Sequence, residues 1–158
     1  MKPKFEKIYQ GMRCRVCLVR EGDVNPLKIS SPADIYQLVK DELAASDREM
    51  FLSIMLATSN HLIGVETVAK GTLNASPISP REVFKSAILA NANAIVLCHN
   101  HPSGSLDPSP RDFMVTEKLI EAGKVLDIGI YDHLIVSYLG YVSLRESGRI
   151  SDFEWYSG

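Results

Sequence analysis

Residues 94–112 read Ala94-Ile95-Val96-Leu97-Cys98-His99-Asn100-His101-Pro102-Ser103-Gly104-Ser105-Leu106-Asp107-Pro108-Ser109-Pro110-Arg111-Asp112. An apolar run closes on two histidines one residue apart. A strand carries positions i and i+2 on one face, so both imidazoles can converge on one ion. Pro102, Gly104 and Pro108 then impose an irregular loop, and Asp112 arrives early in the helix that follows. Two neutral nitrogen ligands and one carboxylate leave a fourth tetrahedral position open to water, the plan of a catalytic zinc site.

The helix start at Ser109-Pro110-Arg111-Asp112 repeats a grammar used twice earlier, at Ser31-Pro32-Ala33-Asp34 and Ser79-Pro80-Arg81-Glu82. Each places serine at the N-cap, proline at the first helical position and an acid at the third. The spacing predicts helices over about 32–44, 80–92 and 110–123, with apolar faces through Ile35, Leu38, Val39 and Leu43, through Phe84, Ala87 and Ile88, and through Val115, Leu119 and Ala122. Strands are expected at Arg13–Val19, Met50–Ala57, Leu62–Ala69, Ala94–His99, Leu126–Tyr131, His133–Tyr138 and Tyr141–Ser143, with a hairpin turn at Thr58-Ser59-Asn60-His61. Alternating strands and helices with hairpins among them make an α/β layer structure around a mixed central sheet.

The bulk properties fit that architecture. The 158 residues are enough for one domain with a real core, and 46% apolar with 23% charged residues describe an ordinary globule. A net charge of −2 carries no global nucleic-acid footprint. Locally, Lys2, Lys4, Lys7, Arg13, Arg15 and Arg20 are opposed only by Glu6; at most weak, salt-sensitive contact with nucleic acid is expected there. The charged start leads into no apolar signal segment, and no apolar run is long enough to span a bilayer. Three cysteines form no disulfide framework, which points to a reducing cytoplasm. The expected organisation is a basic N-terminal segment and strand over 1–30, the main domain over 31–150, and a tail over 151–158.

The cap pattern alone explains Ser109 and Asp112 structurally, since it occurs twice without neighbouring histidines. The third copy differs in following His99 and His101 by one short loop, and in turning Asp112 to the same helix face as Val115 and Leu119. An inward carboxylate is costly unless paired or metal-bound. Zinc suits imidazole ligands better than magnesium or calcium does, with iron as the second choice. The string His-Asn-His is not an HNH nuclease motif, whose residues are spread over a longer unit. Cys14 and Cys17 form a CxxC without a second copy and point to opposite faces of a strand; Cys98 faces away from the metal. His61 reads as a turn residue, and His133 as a core-strand histidine with room for a role behind the metal ligands.

HNHPSG at 99–104 with PSPRD at 108–112 resembles the JAB/MPN (JAMM) metallohydrolase motif, His-x-His-Pro followed by Ser-x-x-Asp. Gly71-Thr72-Leu73-Asn74, Pro80-Arg81-Glu82, Asn91-Ala92 and Asp132-His133 resemble the RadC branch of that superfamily, over about residues 31–150. The resemblance implies a cytidine-deaminase-like α/β fold and zinc held by His99, His101 and Asp112. It implies that Ser109 hydrogen-bonds the reaction intermediate or the metal's water as well as capping its helix. A glutamate near the end of the first helix or the start of the next strand serves as general base in the superfamily. Glu49 takes that place here, with Glu66 as its rival and Glu82 assigned to a capping box. Longer RadC members carry an N-terminal helix-hairpin-helix region that this sequence does not show, so the family's DNA-repair label is expected to carry less weight.

The leading expectation is hydrolysis of peptide or isopeptide bonds in a protein or peptide substrate, without a membrane partner. The alternative is a DNA-repair or mobile-element accessory protein, either a metal-dependent nuclease or a non-enzymatic interaction module. A single metal site without a further carboxylate cluster disfavours two-metal phosphoryl chemistry. A deaminase is disfavoured because its His-x-Glu and Pro-Cys-x-x-Cys signatures are absent.

Overall fold

All three Ser-Pro starts open helices in the computed structural model, which describes residues 27–71 and 78–150. These are α1 (Pro32–Ala44), α2 (Pro80–Leu89) and α3 (Pro110–Leu126). Ser31 and Ser109 complete reciprocal capping boxes with Asp34 and Asp112. Ser79 makes no side-chain cap, and Glu82 instead pairs with Lys85 at 3.2 Å and Arg81 at 3.3 Å. The capping role expected of Glu82 is therefore corrected: ion pairing along the helix surface has won its carboxylate. The expected strand at Arg13–Val19, the Cys14/Cys17 pair, the basic residues up to Arg20, Thr72-Leu73-Asn74 and the tail after Ser151 lie outside the described residues.

Five strands make one sheet: β1 (Met50–Leu56), β2 (Leu62–Lys70), β3 (Ala94–Asn100), β4 (Gly129–Ser137) and β5 (Gly140–Ser143), in the order β2-β1-β3-β4-β5. β3 and β4 run parallel across the α3 crossover and the other pairs are antiparallel, so the sheet is mixed as expected. The β1–β2 turn closes with Ala57 N–H on the His61 carbonyl at 2.9 Å. Side-chain alternation sorts the core into two layers. Leu52, Ile54, Ala94, Val96 and Cys98 pack with Ile35, Val39 and Leu43 of α1, while Phe51, Ile95 and Leu97 pack with Val83, Phe84 and Leu119 of α2 and α3. His99 continues the second set, two residues beyond Leu97, and Cys98 faces the other layer.

Boundaries differ from the sequence reading at β4, at the end of α2 and at the end of α3. The strands expected at Leu126–Tyr131 and His133–Tyr138 are one strand, β4, and Leu126 belongs to α3. The apparent break at Asp132 is a bulge, because Ile95 pairs with Ile130 but Val96 pairs with Asp132. Asp132 is buried there, accepting from Ser143 Oγ at 2.6 Å, the His133 amide at 2.7 Å and the Arg145 amide at 3.1 Å. The extra residue carries His133 onto the α3 side of the sheet. At its other end α2 stops at Leu89, three residues early, where Asn91 takes a left-handed φ of 56°.

α3 runs past the expected end at Gly123 because that glycine is an interior contact and not a terminator. Asp127, with φ 54°, supplies the left-handed cap. The Ile128 amide returns to the Gly123 carbonyl at 3.0 Å, and a Cβ at position 123 would lie 2.5 Å from the Ile128 carbonyl oxygen. Gly123→Ala would gain about 1 kcal/mol of helix propensity. Forcing the α3–β4 connection apart would cost about 1–3 kcal/mol. A net loss is expected, seen as a lower denaturant midpoint with an unchanged m-value.

Candidate metal centre

β3 ends where the sheet meets the N-terminus of α3, and its last residues face a cleft of about 140 Å³. His99 is 1% exposed and stacks on the Phe51 ring at 6.1 Å between centroids. His101 continues the pairing with β4 through its amide on the Val136 carbonyl at 3.0 Å, which keeps both imidazoles on one side. The chain then turns back, with the Gly104 amide on the His101 carbonyl at 3.0 Å. Gly104 has φ 89°, and the Tyr138 ring lies over it, where a Cβ would sit 2.6 Å from the phenol oxygen. Only glycine fits both conditions. The loop presents the Ser105 carbonyl to His101 Nδ1 at 3.0 Å. A carbonyl only accepts, so Nδ1 carries a proton and neutral His101 offers its Nε2 lone pair to the cleft.

α3 brings the carboxylate. Asp112 Oδ2 accepts from the Ser109 amide at 2.7 Å and the Ser109 hydroxyl at 2.8 Å. With Oδ2 occupied by the cap, Oδ1 faces His99 Nε2 at 3.3 Å. His99 Nε2 and His101 Nε2 are 3.0 Å apart, and His101 Nε2 is 3.6 Å from Asp112 Oδ2. Ligand atoms on a tetrahedron with bonds of roughly 2.0–2.1 Å lie about 3.3 Å from one another. The two separations from His99 Nε2, 3.0 Å to His101 Nε2 and 3.3 Å to Asp112 Oδ1, lie close to that value, the 3.6 Å contact being to the other carboxylate oxygen, and the donor set of two imidazoles and a carboxylate fits a transition-metal ion. Among the described residues, His99, His101 and Asp112 are the one cluster able to hold a metal ion.

The electrostatics point the same way. Burial by itself would raise the Asp112 carboxyl, but the His101 and His99 imidazoles facing it outweigh burial and hold it well below the usual carboxylate range. The facing Asp112 carboxylate favours the protonated form of His101 and raises it in turn, against burial, with smaller help from the Ser105 carbonyl and Glu49. The cleft is built to stabilise positive charge. His133 is fully buried, and that burial holds its pKa well below the ordinary histidine value, with the neighbouring His99 adding to the effect. Cys98 takes no part; burial, aided by the Asp132 charge, pushes its thiol up.

Of the two glutamates, Glu49 lines this cleft, while Glu66 lies on β2 opposite Ser53 and is not among the lining residues. The placement of Glu49 comes from its neighbours in the chain. Asn100, buried between the two histidines, accepts from the Met50 amide at 2.6 Å and donates to the Arg48 carbonyl at 2.9 Å. The Glu49 carbonyl accepts from the Gly71 amide at 2.9 Å. Phe51, Ile78 and Val115 supply apolar walls, and Arg111 also lines the cleft.

Two contributors were not singled out in the sequence, Asn100 and Thr116. Thr116 is fully buried on α3, one turn after Asp112, and its hydroxyl is 2.5 Å from the Asp112 carbonyl and 2.6 Å from His133 Nδ1. Its signal was present: a hydroxyl on the helix face shared by Val115 and Leu119 needs a buried partner.

Comparison with known proteins agrees with this geometry. The model of the RadC-like JAB domain family matches residues 29–149, which include the cleft residues and every described strand. A UPF0758 protein of Methanosarcina mazei is 47% identical over 123 residues, 78% of this chain and 54% of the relative. UPF0758 proteins of Desulfitobacterium hafniense and Roseiflexus castenholzii are 47% and 46% identical, covering 76% and 77% of this chain and 53% and 52% of their own. The chain thus spans about half the length of the relatives it matches. With a mixed sheet between helical layers, a histidine pair at the end of β3 and the acid of the α3 cap, this chain belongs to the RadC-like JAB domain family.

Proposed function

We propose that this chain is a zinc-dependent metallohydrolase acting on peptide or isopeptide bonds, with His99, His101 and Asp112 holding the ion. The observation that carries the reading is the convergence of two imidazole nitrogens and a carboxylate within 4.8 Å of one another, in a cleft that also holds Glu49. Zinc, when bound, would supply Lewis acidity, making water a stronger acid and polarising a carbonyl.

The remaining work falls to side chains of the cleft. Glu49, half-buried and braced on both sides by the Asn100 amide, accepts the proton of the attacking water. It returns that proton to the departing amine. The Ser109 hydroxyl, held on Asp112 Oδ2, can turn to the oxyanion as negative charge develops there, while the Ser109 amide keeps Asp112 in place. Phe51, Ile78 and Val115 limit water in the cleft and so strengthen both interactions. The lack of a second carboxylate cluster among the described residues favours amide over two-metal phosphoryl chemistry.

The protein should purify with about one zinc per chain. His101→Ala and Asp112→Asn should both lower the metal content measured by plasma mass spectrometry, and equal zinc in all three proteins would remove the site. On a substrate found by screening peptide and isopeptide libraries beside oligonucleotides, Glu49→Gln should keep the metal and lose about 10²-fold or more in turnover. Glu66→Gln, outside the cleft, should stay within a few-fold of the wild type. Turnover lost in Glu66→Gln and kept in Glu49→Gln would transfer the base role to Glu66, and cleavage of oligonucleotides alone would overturn the substrate class.

A further inference from the structure

We propose that Thr116 and His133 are positioning residues that fix the tautomer of His99, so that its Nε2 lone pair is presented to the metal. The inference rests on the metal reading above and follows from three distances and one acceptor. The Asp112 carbonyl can only accept, and the Thr116 hydroxyl reaches it at 2.5 Å. That contact uses the single hydroxyl proton of Thr116, whose oxygen therefore accepts from His133 Nδ1 at 2.6 Å. His133 has no exposed surface and no carboxylate among its hydrogen-bond partners, so it is neutral and its Nε2 is bare. His99 Nδ1 lies 2.7 Å from that bare nitrogen and must donate to it. The Nε2 of His99 is left as a lone pair, facing Asp112 Oδ1 and His101 Nε2. Each proton is assigned by the one before it, starting from a backbone carbonyl.

The path also closes on itself. Its first acceptor is the backbone of Asp112 and its last group faces the side chain of the same residue, so one turn of α3 sets both the carboxylate and the histidine opposite it. His101 needs no such path, because the Ser105 carbonyl selects its tautomer directly. Without the Thr116 oxygen, His133 can carry its proton on Nε2. His99 must then accept at Nδ1 and hold its own proton on Nε2, where it blocks the ligand position.

The test reads tautomers and metal affinity. In the wild type, long-range nitrogen–proton NMR of the imidazoles should show His133 protonated on Nδ1 and bare on Nε2, with or without zinc; a proton on Nε2 overturns the proposal without need of a variant. Thr116→Val, which keeps the shape and removes the hydroxyl, should weaken zinc binding about 10–100-fold in competition with a chromogenic chelator, and Thr116→Ser should restore it to within a few-fold. Unchanged affinity in Thr116→Val, or no restoration by serine, overturns the proposal. A wild type that binds no zinc would sink the metal reading of the triad, while the His133 tautomer would still decide the relay.

Discussion

His99 is the constraint on which the rest of the structure depends. It stands 1% exposed on a sheet face otherwise filled by Ile95, Leu97 and Phe51, and each of its ring nitrogens must find a partner there. An unpaired buried nitrogen costs about 1–3 kcal/mol, so its neighbours are selected by what they donate or accept. β4 must lie beside β3 and carry an extra residue, so that His133 meets Nδ1. α3 must start within one loop of the strand, so that Asp112 and His101 meet Nε2. The parallel β3–β4 pair with its α3 crossover satisfies both demands at once.

The capping box at Ser109 has two effects from one geometry. At Ser31 the same pattern ends as a cap: Asp34 accepts the Ser30 and Ser31 amides, chiefly the former, which lowers its pKa and completes its role. At Ser109 the box likewise holds Oδ2, but there the other oxygen faces His99 in the cleft. A carboxylate already fixed by two hydrogen bonds loses little freedom on gaining a ligand, which is how preorganisation raises affinity. Local helix energetics and the metal site therefore ask for the same rotamer of Asp112.

Much of this was legible in the residues. The histidine pair, the Ser-Pro caps, the mixed α/β layering and the orientation of Cys98 all follow from periodicities of two and 3.6, which depend only on neighbours in the chain. The departures are long-range. Asp132 in an apolar run looks like a strand break unless Ser143 and the Arg145 amide are known to receive it. Gly123 looks like a helix end because the Ile128 carbonyl that needs its bare Cα comes from beyond the helix. Glu82 fits a capping box by spacing, and only the competing Arg81 and Lys85 show why it does not form. Glu49 and Glu66 could not be separated by local pattern, since the β1–β2 register decides which one meets the cleft.

Asn100 shows how tightly the two halves of the site are joined. It is the residue between the ligands, and its amide grips the backbone on both sides of Glu49, accepting from Met50 and donating to Arg48. Aspartate could not replace it, because an ionised carboxylate cannot donate to the Arg48 carbonyl and would be a buried charge without a cationic partner among these contacts. One side chain thus sets the distance between the strand that carries the ligands and the loop that carries the proposed base. That linkage runs through the sheet and not through any metal. The backbone at Glu49 is therefore aligned with the cleft by the fold itself, and backbone hydrogen bonds set the shape of the space between His99, His101 and Asp112.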